Sequence, residues 1–329
     1  MNGICYACDD AIILEKVLAK TLTGSMAGFR FFAHGAEFTV PGAYAQPLWI
    51  KFAGTGRLAD SLFETRWPHS PMTFPQFFSL VDTMARMSLK ADAARYLFGY
   101  IWWVLEPLLY VLVFYVVFEL ILQNRQENFL VFLMCGKLTF IWFSKSVNQA
   151  ARSIVGGVGL IGKVDVPKSV FPMAVIQEGL YKQAAVFALL FTVLLFSGYP
   201  ITWTWVWLAP LIVVNYVMIV ACSLLCAYLV CLAFDFVVLV SLGTIFLLFI
   251  SGVFWDPRAL PDPAMTDLIL TVNPLAFILD AYRQILMAGV APDGLHLAAI
   301  GAGFGLLAVL LLLLIRRTGQ FLALKVITS

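Results

Sequence analysis

Charge is scarce in this 329-residue sequence, and that scarcity excludes most soluble folds. Asp, Glu, Lys and Arg make up 12% of the chain against 62% hydrophobic residues, and the mean hydropathy is +0.92. Soluble domains carry about a quarter charged residues, so a chain this apolar cannot cover its own surface in water. The formal net charge of +2 excludes a nucleic-acid partner, which would need a strongly basic face. Histidine is nearly absent: His34, His69 and His296 lie far apart, and no metal site is expected. Of six cysteines, Cys135, Cys222, Cys226 and Cys231 sit in or beside apolar runs, and Cys5–Cys8 is a lone CxxC without a second pair. A closed zinc site needs four ligands, and scattered buried thiols do not make a disulfide framework.

Catalytic motifs are also missing. Gly157 to Lys163 matches the GxxxxGK spacing, but Val164 stands where a phosphate-binding loop needs Ser or Thr for magnesium. There is no GxSxG, no HExxH and no cluster of carboxylates or histidines at one end of the apolar segments, which counts against a membrane glycosyl- or acyltransferase. The halves show no obvious internal repeat, which counts against an ion-coupled secondary transporter. No apolar h-region follows a basic start, so no signal peptide is read. The expectation is a non-enzymatic chain with no cofactor of its own.

Long apolar runs are what the sequence has in abundance. A helix needs about 20 mostly apolar residues to cross the hydrocarbon core. Six stretches qualify, at about 99–122, 129–150, 173–197, 203–232, 236–255 and 297–315. The fold class expected is all-α, a polytopic membrane protein with six transmembrane helices. Arg86, Lys90, Arg95, Arg152, Lys163, Lys168, Arg316, Arg317 and Lys325 fall on one set of connections, against Arg125, Arg258 and Arg283 on the other. The positive-inside rule then puts both termini in the cytoplasm. Trp203, Trp205 and Trp207 become an outer aromatic belt.

Before the first span, Phe77, Val81, Met84, Ala91 and Phe98 recur near helical spacing while Asp82, Arg86 and Lys90 share another face. This predicts an interfacial amphipathic helix within 72–98 that guides an amphiphile or braces a partner. The spanning domain is 99–329. Residues 1–71 are Gly-rich with little sustained periodicity and are expected to be a poorly structured extension or a misassigned start, Met72 being a natural alternative. The outer loop from Gly252 to His296, broken by Pro257, Pro261, Pro263 and Pro274, holds segments too short to span. Re-entrant or interfacial helices are expected there.

Ionisable residues inside spans usually have a partner or a function. Folding the first two spans as an antiparallel hairpin brings Glu106 and Lys145 to similar depth, predicting a buried ion pair. Glu119 and Lys137 are offset in that register. Glu178 and Lys182 are spaced for an i,i+4 pair.

Four segments resemble one family. They are Arg95–Pro107 (RYLFGYIWWVLEP); Leu160–Lys168 (LIGKVDVPK) followed by Phe171-Pro172; Ser251–Trp255 (SGVFW) followed by Asn273-Pro274-Leu275 and Arg283; and the short tail after Arg316-Arg317. Together with six spans they are similar to permease subunits of the ABC-2 class that export O-antigen, capsule or teichoic acid. The likeness covers about 75–329. It implies a homodimer bound to two copies of a separate ABC ATPase subunit, which would use the ATP and magnesium. It implies that Gly162, Lys163, Asp165, Pro167 and Lys168 belong to the ATPase-docking loop. It implies an outer gate around Trp255, Asn273, Pro274, Tyr282 and Arg283. The cargo implied is a lipid-linked glycan crossing the bacterial inner membrane, with membrane lipid around the chain. Export of a small drug or lipid is the alternative within this fold.

Overall fold

The computed structural model describes residues 28–33, 36–41, 72–95, 97, 99–117, 128–161 and 166–328. The chain divides into two units, 1–70 and 71–329. In the first, the described residues form an antiparallel hairpin of β1 (Gly28–Ala33) and β2 (Ala36–Pro41), with Gly28 opposite Pro41 and Ala33 opposite Ala36. The expectation for the rest of 1–71 lies outside the described residues.

The second unit is helical. α1 (Phe74–Arg95) is amphipathic, and the Gln76 side chain accepts from the Thr73 amide just ahead of its first turn. Its buried stripe runs through Val81, Ala85 and Leu89, with Phe77, Leu80 and Met84 partly buried beside it. Ala91, expected on that stripe, is exposed. Phe98 lies outside the described residues. A 3-10 turn at Gly99–Ile101 leads into α2 (Trp102–Tyr115), and the two helices meet at a bend of 103°.

α3 (Phe129–Ala151) is the central helix. It is buried nearly all round and touches α2, α4 (Val170–Phe196), α5 (Leu208–Leu232), α6 (Phe236–Ile250) and α8 (Pro274–Arg283). Two single helical turns, Ser153–Gly156 and Val158–Ile161, follow it. α4 has Pro172 in its first turn, where a missing N–H costs nothing. α5 is preceded by a 3-10 turn, Trp203–Trp207. α9 (Gly294–Arg317) packs along α5, with Gly301 against Val214. The terminal α10 (Gly319–Thr328) rests on α5 and the Val158–Ile161 turn.

Among the described residues, four helical segments are long and apolar enough to cross a membrane alone: α3, α4, Trp203–Leu232 and α9. The total rises to six if each of two bent pairs counts as one span, α1 with α2, and α7 (Pro263–Val272) with α8 and its following turn. The chain is therefore a multi-pass membrane protein. α6 is shorter than expected, ending at Ile250 instead of continuing to Trp255. Its 15 residues reach about 22 Å at 1.5 Å each, short of the ~30 Å core. The helix stops because Gly252 turns left-handed, φ +69°, and the Trp255 indole folds back to donate to the Phe249 carbonyl at 2.9 Å. The outer faces of α6 (Val238, Leu239, Leu242, Ile245, Phe246, Phe249) and α9 (Leu306, Val309, Leu310, Leu313) are exposed and apolar, as lipid-facing surfaces should be.

Candidate functional site

One face of α3 carries a row of polar residues within the apolar bundle. Lys137, Ser144, Lys145 and Asn148 line a groove of about 250 Å³ between α2, α3 and α6, together with Tyr110, Phe140 and Thr244. Lys137, Ser144 and Asn148, seven and four residues apart, share one helix face, with Lys145 at its edge. Lys137 is buried, its ammonium 4.7 Å from the Phe114 ring and within 6 Å of Tyr110, Phe140 and Phe254. An ammonium among ring faces recovers part of its lost hydration through cation–π attraction. Its possible partner Glu119 lies outside the described residues. Deeper along the groove, Asn148 donates to Thr244 Oγ1 at 3.0 Å and accepts from Ser241 Oγ at 3.1 Å.

Lys145 turns the other way. Its ammonium lies 2.6 Å from Glu106 Oε2, so α2 and α3 do bring this pair together. The pair is half-exposed, 42% for Lys145 and 33% for Glu106, because it stands at the mouth of a second cavity. That cavity, about 310 Å³, is enclosed by α1, α2, α3 and α4. Its lining includes Asp92, Trp102, Trp103, Glu106, Trp142, Lys145, Ser146, Gln149, Gly179, Lys182 and Gln183. Lys182 bridges two helices, with its ammonium 2.6 Å from both Asp92 on α1 and Glu178 on α4. Tyr181 donates a hydrogen bond to Asp82, and Arg86 sits 2.8 Å from the same carboxylate. These contacts hold the Asp82 carboxyl below the usual carboxylate range, the Tyr181 hydroxyl contributing most. Three polar atoms on the cavity residues, Trp142 Nε1, Ser146 Oγ and Gln183 Nε2, are buried without a hydrogen-bond partner within the described residues. Each such atom costs about 1–3 kcal/mol.

The outer segment is built inward. Asn273 caps α8, its side-chain oxygen accepting from the amides of Leu275 and Ala276 at 3.1 and 3.2 Å while its Nδ2 donates to Ser251 Oγ at 3.0 Å. Pro274 takes the first helical position, where it needs no N–H partner. α7 and α8 meet at 111°, and every residue of α8 from Leu275 to Arg283 is buried. Tyr282, 1% exposed, packs its ring 5.8 Å from that of Phe187 on α4. Arg283 donates to the carbonyls of Gly252 and Val253 at 2.7 and 3.0 Å and lies 3.6 Å over the Phe132 ring. Asp280 is gripped by Arg258, whose Nε and Nη2 reach it at 2.9–3.0 Å, and by Gln284 at 2.6 Å. Trp255, Asn273, Tyr282 and Arg283 thus tie this segment to α3, α4 and the end of α6.

Of the loop after α3, Gly162, Lys163 and Asp165 lie outside the described residues. Lys168 is buried, its ammonium donating to the Val166 carbonyl at 3.1 Å, and stands beside Gly319 of α10. Sequence reasoning missed the second cavity and the Lys137–Asn148 face, although the polar spacing on α3 was there to read. Among the described residues no group of His, Cys, Asp and Glu could hold a metal.

No family model matches the chain. The chain is similar to O-antigen export system permease protein RfbA of Klebsiella pneumoniae, at 26% identity over 215 residues, which is 65% of this chain and 82% of that protein. A second Klebsiella pneumoniae protein of the same name is 27% identical over 64% of this chain and 82% of its own length. The protein of that name from Myxococcus xanthus is 26% identical over 69% of this chain and 87% of its own length.

Proposed function

We propose that this chain is the membrane permease subunit of an ATP-driven ABC exporter of the ABC-2 class, moving a lipid-linked or lipid-anchored polysaccharide across the bacterial inner membrane. The observation that carries the reading is the likeness to O-antigen export permeases over 82–87% of their length. The polar, aromatic groove along α3 supports it, because a glycan needs hydrogen-bonding groups and ring faces where a lipid or apolar drug would need neither. Export of a small drug or lipid is correspondingly less favoured.

In this reading two copies of the chain work with two copies of a separate ATPase subunit, which binds the ATP and magnesium while this chain holds no cofactor. Both termini face the cytoplasm. The Gly162–Lys168 loop and α1 receive the ATPase. α1 is pinned to α4 through Asp82–Tyr181 and Asp92–Lys182, so a push on α1 reaches the bundle as a rigid displacement. The α7–α8 segment, with Trp255, Asn273, Pro274, Tyr282 and Arg283, closes the outer end of the path.

The test is purification of the tagged chain from its native membrane in mild detergent. A co-purifying ATPase whose hydrolysis changes with the permease, together with loss of surface polysaccharide on deletion, is the expected result. A chain that recovers no ATPase, and whose export responds to a proton uncoupler instead, overturns the reading.

A further inference from the structure

The cavity enclosed by α1, α2, α3 and α4 is set apart from the α3–α6 groove by the Lys145 side chain, which borders both. Its charges cancel. Asp92 and Glu106 face Lys145 and Lys182, and both ammonium groups already lie 2.6 Å from a carboxylate. Glu178 takes a further share of Lys182. No net positive field remains to hold a phosphate or another anion, and no uncommitted carboxylate pair remains to hold a cation.

What the cavity does offer is indole surface and hydrogen-bonding capacity. Trp102, Trp103 and Trp142 line it, and Trp142, Ser146 and Gln183 each carry a buried polar atom without a partner within the described residues. The Trp142 indole and Gln183 amide nitrogens can only donate, while the Ser146 hydroxyl can donate or accept. Gly179 keeps α3 and α4 close at this point, since a Cβ there would come within 2.7 Å of Ser146 Oγ. The volume of about 310 Å³ lies at the small end of ligand pockets, about 300–1,000 Å³. Flat apolar faces, donors and a neutral field are what a sugar ring recognises, with C–H faces for the indoles and ring and hydroxyl oxygens for the donors.

We propose that this cavity is a binding site, within a single copy of the chain, for a neutral sugar ring. Trp142, Ser146 and Gln183 select it, and the Glu106–Lys145 pair stands between it and the groove. The proposal deepens the export reading and rests on it for the source of the sugar. It places recognition of one ring of the cargo beside the path instead of along it.

The test uses the permease–ATPase complex in lipid nanodiscs, with hexyl β-D-glucoside, hexyl phosphate and hexanol as probes and saturation-transfer NMR as the readout. Saturable glucoside binding is expected, weakened about tenfold by Gln183→Leu and by Trp142→Phe. Ser223→Ala is the matched control, because Ser223 Oγ is equally buried and unpartnered but does not line the cavity; binding there should be unchanged. Gln183→Leu removes an unpaired amide for an apolar group of similar shape, so the fold should tolerate it. Hexyl phosphate displacing the glucoside, or hexanol binding as well as it does, overturns the proposal. So does glucoside binding that neither cavity variant alters. Absence of saturable binding in a complex that still hydrolyses ATP and exports polysaccharide overturns this proposal and leaves the export reading standing. Failure to assemble with any ATPase overturns the export reading instead, and the permease alone in nanodiscs then decides the cavity.

Discussion

Arg283 and Gly136 show how one side chain can dictate another's absence. A Cβ at Gly136 would stand 2.3 Å from Arg283 Nη2, so only glycine lets the guanidinium reach the Gly252 and Val253 carbonyls. Gly136→Ala should destabilise the fold by about 1–3 kcal/mol, the usual cost of overpacking, seen as a lower Tm in detergent. Arg283→Lys keeps the charge but loses the two-pronged grip and should cost a similar amount. The Glu106–Lys145 pair should behave otherwise. Both groups are at least a third exposed, so a double-mutant cycle of Glu106→Gln and Lys145→Met should give a coupling of at most about 1 kcal/mol. A coupling of several kcal/mol would mean the pair is shielded in the assembled transporter. The pairing was legible in the sequence because folding the first two apolar runs as an antiparallel hairpin sets Glu106 and Lys145 at similar depth; their exposure was not, since the pair was expected to be buried. The role of Arg283 was not, because its partners are backbone carbonyls, and every residue has one.

At the scale of elements, amphipathic α1 was readable from its period, yet one of its predicted apolar positions, Ala91, is exposed. Helical spacing places residues on a face to within about a position, and the partner decides which edge of the stripe is covered; here α4 covers Val81, Ala85 and Leu89. The contact to α4 also fixes a pH response. The Asp82 carboxyl is held below its usual value by Tyr181 and Arg86. Its contribution to docking is therefore fully present above the ordinary carboxylate pKa of about 3.9 and is lost as pH falls through the lower, folded value. Docking of α1, followed by hydrogen exchange corrected for intrinsic rate, should stay level down to about pH 5, and Asp82→Asn should weaken it across that range, the difference closing as Asp82 itself becomes protonated at lower pH. The outer helices were predicted as short segments between prolines, which is what the prolines at the first turns of α7 and α8 enforce. That α8 is buried from Leu275 to Arg283 was hidden, because a stretch containing Asp280 and Arg283 reads as solvent-facing until Arg258 and two carbonyls are found beside them. Asn273→Ala removes both the helix cap and the bond to Ser251 and should cost about 1–2 kcal/mol in thermal unfolding.

For the molecule as a whole, the long apolar helices were plain from hydropathy alone, whereas the length of α6 was not, since Gly252 ends it while the apolar run continues. Orientation is open to a direct check. With both termini in the cytoplasm and the six native cysteines replaced, a single cysteine introduced as Ser88→Cys should react with impermeant maleimide only in inverted vesicles, and Leu295→Cys only in intact spheroplasts. The reverse pattern would invert the topology.

The seat of α8 also bears on how the protein is made. Ten residues long and carrying two buried charges, α8 is too short and too polar to be taken up from the translocon as an independent segment. The residues that receive it, Phe132 and Gly136 on α3, Phe187 on α4 and the Gly252–Val253 turn, all leave the ribosome earlier. Synthesis from the N-terminus therefore builds the socket before the plug, and α8 enters protein instead of lipid. A chain whose α8 segment was moved ahead of α3 would reach the bilayer with its charges unmatched.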